Sequence, residues 1–283
     1  MKTTFINGRY GVVLDHKVVF YGVFNQFNEY LPILHGVIQK GNVIPVHSPE
    51  PVVSVSSIID LLRNKGALVI KPARGGGGDR VKIVRFVDNT FLLNNKSITE
   101  GELEDKLSML DEFIVTQYIK QHPYASEVFP DTTNTVRLLT MWDYAQNMPF
   151  IAFGEHRFGR EDSGHLDNWS QGGLMSFFTD YEKGILGKGV SYPRDGQLTY
   201  HTIHPETGVQ IEGLIVANWN ILVTKILEIA AAYPYIPYIG WDIIVTDTAF
   251  KIIEGNSHSQ VPGVPLFRNP RVREFYRHHG IIQ

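Results

Sequence analysis

Residues 241–256 read WDIIVTDTAFKIIEGN. Trp241, Ile243 and Val245 alternate with Asp242, Ile244 and Thr246. After a short break, Phe250, Ile252, Glu254 and Asn256 alternate with Lys251, Ile253 and Gly255. A period of two marks a strand, and two such runs about a break predict an antiparallel hairpin. A turn centred on Thr248 sets Asp242 opposite Glu254, with Cβ atoms roughly 4.5–5.5 Å apart. Asn256 follows two residues on, along the same face. The carboxylates then share a face with Ile244, Phe250 and Ile252. Like charges in apolar surroundings repel and are poorly solvated. A hard cation relieves both effects, and Mg2+ takes oxygen ligands of this kind. The competing reading is a hairpin edge with solvated surface carboxylates.

The chain around this hairpin has 283 residues, 43% of them hydrophobic, enough to core one large domain or two or three small ones. Its 26 Lys+Arg against 29 Asp+Glu give a net charge of −3, with no basic excess to favour nucleic acid or a membrane surface. The absence of cysteine excludes disulfides, thiolate zinc sites and a cysteine nucleophile, and fits a reducing cytoplasm. The N-terminus lacks the apolar segment of a signal peptide, and no run reaches the ~20 apolar residues of a membrane-spanning helix.

Upstream of the hairpin, residues 3–13 read as short strand around the Asn7-Gly8 turn. Asp15 is a suitable N-cap for a helix over 16–27. Lys17 falls in its first turn, where a cation opposes the helix dipole and gains from an anionic partner. Ser56 or Ser57 caps a helix over 58–64 that Gly66 ends. A buried strand over 67–72, carrying Lys71, runs into Gly75, Gly76, Gly77 and Gly78 before another strand over 81–86. A hairpin needs one or two glycines, and four cost backbone entropy. They point to a mobile loop whose N–H groups cover phosphates, with Lys71 as the cation; the alternative is a flexible hairpin tip. No Lys-Ser/Thr follows the glycines, position 80 is arginine, and the lysine precedes the loop. These features exclude the Walker A, GxGxxG and protein-kinase arrangements.

Thr99 and Glu102 form a capping box for a helix to about 110. Residues 113–119 read as a buried strand, and 135–142 as another. There Arg137 lies on the face opposite Val136 and Leu138, and needs an anion: Asp131, Asp143 or a phosphate. A strand over 150–158 carries Glu155 and Arg157, and a further one covers 172–179. An amphipathic helix over 216–233 presents Ile215, Ile221, Leu222, Ile226 and Ile229 as its apolar stripe. After the hairpin comes a loop in which His258 is a ligand, a substrate contact or a plain loop histidine. A final helix spans 268–279.

Lysines, a glycine loop, a buried arginine and paired carboxylates are the parts of a phosphoryl-transfer site. In this order they resemble the ATP-grasp superfamily. From Asp15 onward the chain looks most like the sugar-transfer-associated ATP-grasp proteins of bacterial polysaccharide biosynthesis. Asp15, His16 and Lys17 are similar to the first lysine motif, and Lys71-Pro72 with Gly75 to Gly78 to the second lysine and its phosphate-covering loop. Residues 116–119, TQYI, look like the hinge strand. The narrower family is matched by Asn134 to Arg137, Asp167-Asn168, Gly172-Gly173 and His204 to Gly208. Gly240 to Asp242 and Glu254 to Asn256 match the metal site.

The resemblance implies an α+β chain of two lobes, 1–120 and 121–283, with ATP between them and without the usual separate N-terminal domain. The acceptor site is then built from this chain alone or completed by a homodimer or partner protein. It implies that Lys17, Lys71 and the loop hold ATP, and that Gln117, Tyr118 and Ile119 meet adenine through the Gln117 carbonyl and Ile119 N–H. Asp242, Glu254 and Asn256 would ligate two Mg2+. Arg137 and Arg157, with Lys71, would steady the γ-phosphate or an acylphosphate, and Asn168 and His258 would face the acceptor. The expected activity is a ligase joining a small-molecule carboxylate to an amine or hydroxyl in polysaccharide or secondary-metabolite biosynthesis. A kinase on a hydroxyl and a nucleotide-binding subunit without chemistry are the alternatives.

Overall fold

The computed structural model describes residues 5–76, 78, 80–164, 166–193, 196–259 and 268–282. The chain separates into two compact units, one of His16–Ile119 and one of Met1–Asp15 with Lys120–Gln283. The residues before His16, expected in the first lobe, cluster with the second unit. Their tie is Asn7, which is buried. Its Nδ2 donates to the Tyr238 carbonyl at 2.7 Å, and its Oδ1 accepts from the Tyr238 N–H at 3.2 Å. Residues 8–15 are also helical rather than extended, with a 3₁₀ turn at Gly8–Tyr10 and α1 at Gly11–Asp15. The Asp15 carboxylate accepts from the Ser257 hydroxyl instead of capping the next helix. That helix, α2 (Lys17–Val23), starts at an uncapped His16 and passes into 3₁₀ geometry over Phe24–Tyr30.

The first unit is an antiparallel sheet of β1 (Leu34–Gln39), β2 (Asn42–Pro45), β3 (Ala67–Pro72), β4 (Lys82–Val87), β5 (Thr90–Leu93), β6 (Lys96–Ile98) and β7 (Phe113–Gln117). Their order is β2-β1-β7-β3-β4-β5-β6. Two helices, α3 (Val55–Lys65) and α4 (Glu100–Ser108), bury Ile58, Ile59, Leu62, Leu103 and Leu107 against Leu68, Ile70, Val84 and Val115 of the sheet. The Thr99–Glu102 capping box forms as predicted. For α3 the cap is Ser54, one turn earlier than expected, because Ser57 serves as its N3 partner and returns a bond to the Ser54 N–H. Gly66 ends α3 at φ +77°, a left-handed conformation that favours glycine.

The second unit is an antiparallel sheet of β8 (Val136–Asp143), β9 (Met148–Phe158), β10 (Leu174–Asp180), β11 (Ile185–Ser191), β12 (Tyr200–His201), β13 (Tyr238–Val245) and β14 (Phe250–Asn256). The order is β12-β11-β10-β9-β8-β13-β14, so β13 lies in the sheet between β8 and β14 and is buried along its whole length. The short helix α5 (Pro123–Val128) precedes β8. Helix α6 (Trp219–Ala231) packs on β9 and buries Trp219, Leu222, Ile226 and Ile229, with the Trp219 ring stacked on Phe178 of β10. Ile215 and Ile221, expected in its stripe, are 60% and 47% exposed, because the helix begins at Trp219 and turns that ring inward instead. The last helix, α7 (Pro270–His278), sets Val272, Phe275 and Tyr276 against Leu139, Met141 and Tyr238. Continuing along that same sheet face, Arg137 follows Leu139 and Asp242 follows Gly240. One half of the face is thus apolar core and the other half carries charge. Among the described residues no helix is long and apolar enough to cross a membrane.

Candidate active site

The hairpin of β13 and β14 turns through Thr246–Ala249, closed by Thr246 N–H to the Ala249 carbonyl at 3.2 Å and held by Asn218 Nδ2 on the Thr246 carbonyl at 2.8 Å. Val245 pairs with Phe250, Ile244 with Lys251 and Ile243 with Ile252, yet Asp242 pairs with Glu254. Ile253 is therefore an extra residue, a bulge that re-aims the strand beyond it. It reverses part of the expected face pattern. Phe250 and Ile252 pair with Val245 and Ile243 on the core side, not beside the carboxylates. The two carboxylates do face each other, and Asn256 pairs with Gly240 one step along.

The register continues across the sheet: Glu155 pairs with Arg137, and Arg137 with Asp242. Directly paired residues point to the same face, so Glu155, Arg137, Asp242 and Glu254 form one row over four strands. The anion for Arg137 is thus Asp242. Asp143 instead takes Arg271 Nε at 2.6 Å. Arg137 grips Asp242 with both edges of its fork, Nε on Oδ1 and Nη2 on Oδ2 at 2.7 Å. Arg157 adds Nη2 on Oδ1 at 2.6 Å, and Asn256 Nδ2 lies 3.2 Å from Oδ2. Burial pushes the Asp242 carboxyl upward, but the two guanidinium groups overcome it and hold the group well below the usual carboxylate range.

Arg157 is fixed from behind. Its Nη2 also donates to Thr135 Oγ1 at 2.8 Å, and Thr135 gives Asp167 both its N–H, at 2.7 Å, and its hydroxyl, at 2.5 Å. Burial raises the carboxyl groups of Asp167 and Glu155 against the pull of Arg157. Around Arg157 stand four carboxylates, Asp242, Asp167, Glu155 and Glu254, against two guanidinium groups. With every group ionised, two negative charges are in excess. A divalent cation would suit that imbalance, and Asp242, Glu254 and Asn256 offer the oxygen donor types that Mg2+ takes. Sequence reasoning gave Asp167 and Glu155 no individual role. The signal for Glu155 was its spacing from Arg157, two polar residues on one face of an otherwise apolar strand.

In the first unit, Lys17 Nζ donates to the Gly75 carbonyl at 2.8 Å, and its N–H bonds the Ala73 carbonyl at 2.8 Å. The start of α2 thereby lies against the glycine loop. Lys17 and Lys71 are both buried. Gly75 at φ +91° and Gly78 at φ +74° occupy conformations that side chains resist; Gly76 lies between them, and Gly77 lies outside the described residues. β7 ends at Gln117, whose Oε1 accepts from Ile33 N–H at 3.3 Å, so Tyr118 and Ile119 follow the strand rather than belong to it. The Tyr118 hydroxyl accepts from Arg85 Nη2 at 3.2 Å, and Ile119 is buried. In the second unit, Asn168 caps the short turn Trp169–Gln171 through Ser170 N–H at 3.1 Å, and His258 Nδ1 bonds the Ser257 hydroxyl.

His156, between Glu155 and Arg157 in sequence, points to the opposite face and is fully buried. Its Nδ1 donates to the Arg157 carbonyl at 3.1 Å, and its Nε2 accepts from the Tyr124 hydroxyl at 2.8 Å. Burial pushes it down to about 3 from the ordinary 6.5. The neutral ring is the native form, so its contribution is complete above pH ~6.5 and is lost as pH falls toward 3, because the unfolded chain protonates first. Between pH 7.5 and 5.5 the loss is about 1.4 kcal/mol. Urea titrations at both pH values should show this increment in the wild type and not in His156→Asn. Equal pH dependence in the two proteins would contradict a buried neutral ring.

The sequence matches the sugar-transfer associated ATP-grasp description over residues 3–269. The chain belongs to that family. No curated protein matches this ATP-grasp sequence. Among solved structures it is similar to the biotin carboxylase–βγ-ATP complex of Campylobacter jejuni, with a TM-score of 0.51 at 13% identity, over 94% of this chain and 46% of that one. It is also similar to the D-alanine–D-alanine ligase of Bacillus anthracis, with a TM-score of 0.45 at 13% identity, over 94% and 68%. A third is the ADP complex of N5-carboxyaminoimidazole ribonucleotide synthetase, with a TM-score of 0.47 at 10% identity, over 93% and 51%. The ATP-grasp chain thus spans about half the length of the first and third of these. At such identities the likeness is one of fold.

Proposed function

We propose that the protein is an ATP-dependent ligase that activates a carboxylate as an acylphosphate and joins it to an amine or hydroxyl. The observation that carries this reading is the Asp242–Glu254 pair with Asn256 beside it and two arginines converging on it, in a chain of the ATP-grasp family. In the first unit, Lys17, Lys71 and Gly75 to Gly78 take the phosphates, and the Gln117 carbonyl, Tyr118 and Ile119 N–H take adenine. In the second, Asp242, Glu254 and Asn256 hold Mg2+, which supplies charge neutralisation at the phosphates when bound. Arg137 and Arg157, with Lys71, stabilise the charge on the phosphoryl group as it passes to the carboxylate oxygen. Asn168 and His258 face the acceptor. The substrate is a sugar or amino-acid derivative of cytoplasmic polysaccharide or secondary-metabolite synthesis.

The test is incubation with ATP, Mg2+, hydroxylamine and a panel of amino acids and uronic acids. A ligase releases phosphate and yields a hydroxamate from at least one carboxylate, and Glu254→Ala yields neither. A phosphorylated, hydroxylamine-stable product without free phosphate would replace this reading with a kinase. Equal cellular function of wild type and a folded Glu254→Ala variant would remove both.

A further inference from the structure

Asp242 has no vacant position for a cation. A carboxylate offers about four lone-pair sites. On Oδ1 they are met by Arg137 Nε and Arg157 Nη2, and on Oδ2 by Arg137 Nη2 and Asn256 Nδ2. A cation that reaches Asp242 therefore displaces a donor. Arg157 is poorly placed to leave, since Thr135 holds it at 2.8 Å and Asp167 lies 4.0 Å from its Nε. Arg137 is held more loosely: beyond Asp242 its one further hydrogen bond among described residues is to Ser259 Oγ at 3.5 Å. A displaced guanidinium left buried without an anion costs several kcal/mol. On its other side stands Glu155, its directly paired neighbour on β9. Glu155 is only 7% exposed, and its carboxylate accepts no hydrogen bond from a described residue. Paired residues have Cβ atoms roughly 4.5–5.5 Å apart, so the long arginine side chain reaches either carboxylate by rotating about its own bonds.

We propose that Arg137 changes partner when a divalent cation binds, leaving Asp242 for Glu155, and that Glu155 is the positioning residue that receives it. The proposal rests on reading Asp242 and Glu254 as the cation site. In this scheme the cation replaces the positive charge that Arg137 withdraws from Asp242. The charge of Arg137 is then balanced by a carboxylate that burial otherwise disfavours. Arg137 thus becomes a reporter of cation occupancy, whereas Arg157 remains in place throughout.

The experiment is titration with Mn2+, with and without ADP, following free Mn2+ by electron paramagnetic resonance, for wild type, Glu155→Gln, Glu155→Asp and Glu254→Gln. Loss of an outer partner of this kind weakens metal binding roughly 10–100-fold. Glu155→Gln is expected to bind Mn2+ that much more weakly with an unchanged or higher melting temperature, since no hydrogen bond is lost. Glu155→Asp is expected to recover part of the affinity. Wild-type affinity in a folded Glu155→Gln protein overturns the partner change and leaves the cation site standing. Equal binding by wild type and Glu254→Gln removes the cation site, and the proposal with it. A crystal structure with Mn2+ decides the matter for a variant that fails to fold: Arg137 on Glu155 supports the proposal, and Arg137 still on Asp242 refutes it.

Discussion

Asp242→Asn is expected to destabilise the second unit by about 3 kcal/mol and to cut turnover about 100–1,000-fold, whereas Glu254→Gln is expected to cut turnover alone. Asp242 is 3% exposed and accepts from two guanidinium groups. An asparagine of the same shape leaves both cations buried against a neutral amide. The cost lies at the low end for a broken buried pair because Glu155 and Asp167 remain close to the arginines. Glu254 is only half-buried. Glutamine keeps a side chain of the same size facing Asp242 and leaves Asp242 and Asp167 beside the arginines, so the fold tolerates it. Loss of charge complementarity at the phosphoryl group costs about 100–1,000-fold in rate. Urea unfolding and phosphate release, measured on both variants, separate the two effects. An Asp242→Asn protein as stable as wild type would mean that the arginines do not depend on this carboxylate. Sustained turnover by Glu254→Gln would exclude that residue from the site.

Local pattern carried much of this architecture. The period-two runs flanking 246–249 identified β13 and β14, and their symmetry set Asp242 opposite Glu254. The pairing survives although the turn is half a residue off the expected centre, because the bulge at Ile253 restores it. Nothing at Ile253 marks a bulge: it carries no glycine, and its side chain suits a regular strand. Unbroken alternation therefore sets Phe250 and Ile252 on the carboxylate face, and the bulge turns them to the other. Arg137 illustrates a second limit. Its need for an anion was legible from a lone cation in an apolar strand, but Asp242 lies 105 residues away. Only the placement of β13 beside β8 selects it over nearby Asp131 and Asp143. Residues 11–15, GVVLD, favour a strand by composition and fold as helix because Asp15 and the adjoining turns are tied to Ser257 and Tyr238. The family match in order of motifs was readable because each motif is short and local.

Asn134→Ala should be among the most destabilising single changes in the second unit, costing about 3–5 kcal/mol. Asn134 is 2% exposed and uses its whole side chain. Nδ2 donates to the Ala125 carbonyl at 2.8 Å and the Phe129 carbonyl at 2.7 Å, while Oδ1 accepts from Thr132 Oγ1 and Gly159 N–H, each at 2.9 Å. Carbonyls on one side and donors on the other leave a single sensible orientation for the amide. The Phe129 carbonyl is that of the α5 C-cap, beyond the reach of the helix's own donors, the Ala125 carbonyl also accepts from the Phe129 N–H, and Gly159 follows directly on β9. One amide thus ties α5 to β9 just before Thr135, the residue that holds Asp167 and Arg157. Alanine leaves several buried groups unpaired. Asn134→Asp keeps the acceptor but faces two carbonyl oxygens with a third, so aspartate should rescue little. Urea denaturation of both variants reads the cost directly. A loss under about 1 kcal/mol in Asn134→Ala would mean that water replaces the amide, and that Thr135 is positioned by the strand alone.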